Sequence, residues 1–347
     1  MRRIFPFSAI VGQDHMKNAL LYNAVDPSIG GVLIRGEKGT GKSTAVRAIA
    51  EILPPRFTIQ GCRFHCYPSQ KEGLCPECRA RRDNGESFEL FEEPTYVVDL
   101  PLNASEDRVV GSIDIETAIK SGQRRFEPGI LAATHRAILY VDEVNLLDDH
   151  IVDILLDVAV TGVNLVEREG VTYTHPSRFI LVGTMNPEEG DLRPQLLDRF
   201  GLCVDIQAEH SAERRMEIVR RSMGFQADPD GFLARWQEEQ ERLHQAVQQA
   251  RDLLPQLTPE DGLLEIAAEL SIQMQVDGHR AEIIIVKTSL AAAAFNGRST
   301  PSMEDVREAA LLALAHRIKR RPLDESSFQP SQIDAILQRH FSQKEPP

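Results

Sequence analysis

The chain has 347 residues, 42% hydrophobic and 26% charged, an ordinary globular composition with length for about two domains. Its 39 basic residues face 52 acidic ones, a formal net charge of −13; binding nucleic acid rests on neutralising phosphates, so the chain is a poor candidate for a dedicated nucleic-acid binder. No run approaches the ~18 apolar residues that span a bilayer, and MRRIFPFSAIVGQDH at the start lacks the apolar core of a secretory signal, so a cytoplasmic location is expected.

Up to about residue 209, short apolar runs alternate with helical patterns. GVLIRG (31–36), TYVVDL (95–100), AILYVDE (137–143), RFILVGT (178–184) and LCVDI (202–206) read as buried strands of a parallel sheet. STAVRAIAEIL and DDHIVDILLDVAV read as helices between them, which gives an α/β layered fold. Residues 210–341 carry helical periodicity throughout, with start signals at Thr258-Pro259-Glu260 and at Ser302 and Asp305. This second part is expected to be an all-α domain, and residues 342–347 a disordered tail.

The first strand runs into GEKGTGKST: Gly36, Glu37, Lys38, Gly39, Thr40, Gly41, Lys42, Ser43, Thr44. This fits G-x-x-x-x-G-K-[ST] between a strand and a helix, the context in which that pattern holds phosphates. Backbone N–H groups and the helix dipole would cradle the anion, Lys42 would reach the outer phosphates and Ser43 would ligate Mg²⁺. In AILYVDE, Asp142 would hold the same Mg²⁺ and Glu143 would activate the attacking water; alone, such a strand end caps the next helix. Asn186 in LVGTMNP stands where an amide orients that water, though by itself Asn-Pro is an ordinary turn signal. Arg193 and Arg199 in DLRPQLLDRFGL either stabilise charge on a neighbouring subunit's γ-phosphate or pair with Asp191 or Asp198 on the surface.

Cys62, Cys66, Cys75 and Cys78 form C-x3-C, a spacer of eight, then C-x2-C within 61–82. In a reducing compartment clustered cysteines bind metal more often than they form disulfides. Four thiolates suit a closed structural Zn²⁺ site; an iron–sulfur cluster, redox thiols or no metal are the alternatives. Hard Mg²⁺ prefers oxygen and is not expected here. Cys203, within a buried strand, reads as a core residue.

Taken together, IVGQD, GEKGTGKST, RVVGSIDIETAIKSGQRRFEPGILAATHRAILYVDEVNLL, TMNPEEGDLRPQLLDRFGL and DGHRAE resemble the I subunit of magnesium chelatase, an AAA+ ATPase family. The resemblance covers about residues 5–320. It implies a P-loop core with a helical lid and an ATP- and Mg²⁺-dependent activity. Val11, Gly12 and Gln13 would border the adenine, and Asn186 would be the sensor 1 residue. Arg199 would be the arginine finger acting in trans, Arg193 a second trans contact, and Arg280 the sensor 2 residue. A helix 2 insertion is implied over about 99–130, and a pre-sensor 1 hairpin over about 160–178 with its tip near Arg168 to Gly170. Lys42 and Asp142 stand 100 residues apart, a separation the cysteine loop and the helix 2 insertion would fill. The implied partners are further copies of the chain in a ring, usually hexameric, a D-type subunit and a large H-type porphyrin-binding subunit. The implied function is the motor for Mg²⁺ insertion into protoporphyrin IX in (bacterio)chlorophyll-type biosynthesis. Cobalt chelation for cobalamin and a MoxR-like chaperone role are the alternatives. A replicative helicase is disfavoured by the acidic charge and by the non-basic Glu167-Arg168-Glu169 tip.

Overall fold

The computed structural model describes residues 3–68, 73–114, 125–168, 171–318 and 330–342. Strands β1 (Val32–Gly36), β4 (Val97–Asp99), β7 (Ile138–Val141), β10 (Ile180–Met185) and β11 (Leu202–Ile206) form one sheet in the order β11-β1-β10-β7-β4. Every pairing within it is parallel. These are the five apolar runs of the sequence, buried because helices cover both faces.

Alternation along the strands divides the core in two. Val32, Ile34, Tyr140, Val182 and Val204 pack against helices Asp14–Val25 and Lys42–Ala50 and against the C-terminal helices. Leu33, Leu139, Val141, Leu181 and Cys203 face the other way, onto helix Asp149–Thr161 and the cysteine segment. Cys203 is a core residue, and burial pushes its thiol up to about 12.

Three two-stranded units decorate the sheet. β2 (Arg56–Ile59) pairs antiparallel with β3 (Leu90–Glu93) and brackets the cysteine segment. β5 (Gly111–Asp114) pairs with β6 (Arg125–Pro128) in the region of the expected helix 2 insertion, of which residues 115–124 lie outside the described residues. β8 (Val163–Arg168) pairs with β9 (Val171–Pro176) at the expected pre-sensor 1 hairpin; the tip at 169–170 lies outside the described residues.

After β11 the described chain is helical: Ala212–Ala227, Pro229–Leu253, Asp261–Gln273, Arg280–Phe295, Met303–Leu314 and Pro330–Ser342. Ser302 and Asp305 form a reciprocal capping box, as their spacing predicts. The helix expected from Thr258 starts only at Asp261, because Glu260 is extended and serves as its N-cap. Of the expected tail, Ser342 closes the last helix and 343–347 lie outside the described residues.

Candidate active site

The phosphate loop leaves β1 at Gly36, whose place no other residue could take: a Cβ there would stand 2.3 Å from the Ile206 carbonyl oxygen on β11. Gly39 and Gly41 then adopt φ of +82° and +85°, a region that favours glycine, and helix Lys42–Ala50 opens directly after them. Lys42 Nζ donates to the carbonyl oxygens of Gly36 (2.5 Å) and Glu37 (2.8 Å), so the ammonium is folded over the mouth of its own loop. Partial burial pulls its pKa down, against the raising influence of Asp142 and Glu143.

Behind the loop, one hydroxyl joins the metal-binding candidates. Tyr140 Oη lies 2.9 Å from Ser43 Oγ and donates to Asp142 Oδ1 at 2.8 Å. Thr184 Oγ1 also donates to Asp142 Oδ1, at 2.5 Å. Burial pushes the Tyr140 phenol up to about 12, so it remains a neutral donor. Tyr140 and Thr184 were not singled out by the sequence reading. Each stands two residues before a chosen position, Asp142 or Asn186, and therefore on the same strand face; that period-2 relation was the available signal.

Glu143 carries φ +54°, a conformation uncommon outside glycine and typical of strained functional positions. It holds the N-cap position of the turn Val144–Leu146, yet its side chain makes no capping hydrogen bond. Instead its carboxylate stands 3.4 Å from Lys38 Nζ, which is also 2.5 Å from Glu189. Glu189, chiefly, holds the Lys38 ammonium above its ordinary range. Asn186 is buried at the end of β10, and its Oδ1 accepts from the Glu188 N–H at 3.3 Å. The turn bond expected of Asn-Pro therefore exists, and it is made by the side-chain oxygen.

A cavity of about 450 Å³ adjoins the loop, lined by Val11, Gln13, Lys38, Thr44, Gln207 and Ile218 among others. Gly12 and Gln13 both have positive φ, and Gln13 Nε2 donates to Gln207 O at 3.3 Å. A larger cavity of about 690 Å³ lies between Arg35, Asp198 and Arg317. It touches no phosphate-loop residue, so chemistry and not volume marks the nucleotide site.

The three candidate arginines lie apart from the loop. Arg199 Nη1 is 3.0 Å from both Asp153 and Asp157, and Arg193 Nε is 2.5 Å from Asp149. The three acids stand one turn apart on helix Asp149–Thr161. These partners replace the Asp191 and Asp198 of the sequence reading. Asp198 is engaged from the C-terminal part: Arg317 donates to its Oδ1 at 3.0 Å and to its carbonyl at 2.7 Å, and Arg280 stands 3.7 Å away. Arg280 thus sits beside the Arg199 segment, and among the described residues its ion pair is with Asp198 rather than with the phosphate loop.

The four cysteine sulfurs lie within 4.8 Å of one another, three of them on buried residues. Backbone N–H groups of Phe64, Cys75 and Cys78 point at Cys62, Cys66 and Cys75 Sγ at 3.4, 3.2 and 3.4 Å. Hydrogen bonds among the sulfurs lower Cys62 and, on balance, Cys78, and push Cys66 and Cys75 the opposite way. A packed quartet of this kind holds more than one thiolate only with a cation at its centre.

A parallel sheet with a phosphate loop after β1, acids closing β7, a polar end to β10 and a helical C-terminal part defines an AAA-type ATPase. Sequence profiles agree: residues 86–200 match the AAA domain of the dynein-related subfamily and 264–338 match an AAA lid domain. The chain is 49% identical over 337 residues to the magnesium-chelatase subunit ChlI homolog of Methanocaldococcus jannaschii, covering 97% of this chain and 92% of that protein. It is 48% identical over 341 residues to the magnesium-chelatase 38 kDa subunit of Acidiphilium rubrum, covering 98% of each. A solved structure of the BchI–BchD complex of magnesium chelatase contains a similar chain, with TM-score 0.55, 47% identity, and coverage of 92% of this chain and 98% of that one. The chain belongs to the magnesium-chelatase I-subunit family.

Proposed function

We propose that this protein is the ATP-hydrolysing motor subunit of a multi-subunit magnesium chelatase, driving insertion of Mg²⁺, as substrate, into protoporphyrin IX. The observation that carries the reading is the hydrogen-bonded set Ser43–Tyr140–Asp142–Thr184 behind a phosphate loop, in a chain nearly half identical to named chelatase subunits. Loop amides and Lys42 bind the phosphates, and Lys42 exchanges the Gly36 and Glu37 carbonyls for phosphate oxygens when ATP enters. Val11, Gly12 and Gln13 border the base. Ser43 and Asp142 would hold the Mg²⁺ of MgATP, which would supply charge neutralisation of the phosphates. Glu143 takes the proton of the attacking water, and Asn186 orients that water.

Arg199, with Arg193, serves the site of the next subunit in a ring, and the proximity of Arg280 to Asp198 supports counting it on the same face. A hexamer working with a D-type and a large H-type porphyrin-binding subunit, in the cytoplasm, is the assembly we assign. The junction of core and lid falls at 209/210, between the end of β11 at Ile206 and the helix from Ala212.

The cysteine quartet holds a structural Zn²⁺. Thiolates ~2.3 Å from a shared tetrahedral zinc stand ~3.8 Å apart, and Cys62 and Cys75 Sγ are 3.8 Å apart. A multi-iron cluster would place its ligands on separate irons, farther apart than the 4.8 Å limit found here.

The test is reconstitution. Alone, the protein hydrolyses ATP and inserts no metal; porphyrin fluorescence shows Mg²⁺ insertion once D-type and H-type subunits are added. Equal chelation by those subunits with this protein left out contradicts the proposal.

A further inference from the structure

Both cysteine knuckles present side chains to the two hairpins on the sheet. In the first knuckle Phe64 lies between Cys62 and Cys66, and its N–H points at Cys62 Sγ. The sulfur therefore fixes the backbone from which the ring projects. That ring is 1% exposed and packs on Tyr173 and His175 of β9 (centroids 5.8 and 4.7 Å) and on Phe126 of β6 (6.1 Å). Phe126 and Tyr173 are themselves stacked at 4.1 Å and 9°. In the second knuckle Glu77 lies between Cys75 and Cys78 and accepts the Tyr173 hydroxyl at 2.7 and 2.8 Å. Arg63, beside Phe64, closes the ring of contacts: it donates to the Phe126 carbonyl at 3.1 Å and to Glu77 at 3.2 Å.

The cysteine segment has little apolar content of its own, and Phe64 is its one fully buried aromatic ring. Both hairpins continue into the catalytic strands. β6 leads through helix Ile130–Ala133 to β7 and Asp142, and β9 leads directly to β10, Thr184 and Asn186.

We infer that the cysteine site is a clamp on both hairpins, with Phe64 and Glu77 as positioning residues that transmit the metal-bound geometry to Phe126 and Tyr173. The metal trigger rests on the zinc reading above; the clamp itself rests on the aromatic and Glu77 contacts. Tyr173 is the shared receiver, since it meets one side chain from each knuckle.

Hydrogen exchange on the full chain tests this, with the amides of β1, β7 and β10 as an internal control. Removing metal with a chelator should speed exchange in β5–β6 and β8–β9 by about tenfold or more, leaving the control strands unchanged. Phe64→Ala should do the same while metal content stays at one ion per chain. Tyr173→Phe, which deletes only the bonds to Glu77, should loosen β8–β9 more than β5–β6, and it decides the matter if Phe64→Ala is insoluble. Unchanged hairpin exchange in the chelated protein and in the variants overturns the clamp. Protein that carries no metal, yet whose hairpins loosen in Phe64→Ala or Tyr173→Phe, overturns the zinc reading and leaves the clamp standing.

Discussion

Arg199 Nη1 stands 3.0 Å from Asp157 on a helix of its own chain, although the residue's assigned work lies on the neighbouring subunit. Exposed pairs of this kind are worth about 0–1 kcal/mol, so the guanidinium leaves Asp153 and Asp157 at little expense when a phosphate is offered. Arg199→Ala should bind nucleotide normally and lose hydrolysis by about a hundredfold or more. Mixing it with Lys42→Ala should restore part of the activity, because some interfaces then join an intact finger to an intact loop. A strictly monomeric wild-type protein hydrolysing at full rate would refute the trans assignment.

Lys42→Ala and Glu143→Gln should separate binding from chemistry. The first removes the charge that faces the outer phosphates, and nucleotide affinity falls. The second keeps the loop intact and deletes only the base, so ATP binds while turnover drops by about a hundredfold or more. Equilibrium binding beside single-turnover hydrolysis reads both; normal turnover in Glu143→Gln would remove Glu143 from its role.

Tyr140→Phe probes the hydroxyl that joins Ser43 to Asp142. Loss of the part-buried hydrogen bonds to Ser43 and Asp142 should lower stability by about 1–2 kcal/mol. The diagnostic effect is on the metal: half-maximal ATPase should require several-fold more Mg²⁺, while nucleotide affinity measured in EDTA stays unchanged. An unaltered Mg²⁺ requirement would mean that the hydroxyl merely fills the core.

Metal analysis of anaerobically purified protein should give about one zinc per chain. Cys75→Ser combined with Cys78→Ser should lower thermal stability more than it lowers ATPase activity per folded chain. Native protein with no metal and four freely titrating thiols would rule out the zinc site.

What the sequence made legible was local. Near-continuous apolar runs marked all five sheet strands, because strands covered on both faces need such runs. The phosphate loop was plain because its glycines, Lys42 and Ser43 are contiguous. The C-x3-C and C-x2-C spacings marked a quartet that does converge. Contacts made across the fold were not legible. That Tyr140 serves Ser43 and Thr184 serves Asp142 depends on β1, β10 and β7 lying side by side, an order no local pattern states. Asp153 and Asp157 lie in the helical pattern DDHIVDILLDVAV, and nothing in that pattern pairs them with Arg199. The aromatic cluster joins Phe64, Phe126 and Tyr173, residues 62 and 47 positions apart, so only the folded chain brings it together. Arg317 lay in a run of basic residues, and nothing there signalled that it is buried against the segment ahead of Arg199.

The central claim is that hydrolysis in this chain drives metal insertion performed elsewhere in the complex. The direct measurement is Mg²⁺ insertion, read by porphyrin fluorescence, in a reconstituted mixture of this protein with D-type and H-type subunits, compared with the same mixture carrying Glu143→Gln. The account predicts that the variant complex assembles with ATP and inserts no metal, whereas the wild-type complex inserts Mg²⁺ in proportion to ATP consumed. Insertion at the wild-type rate by the assembled Glu143→Gln complex would contradict it.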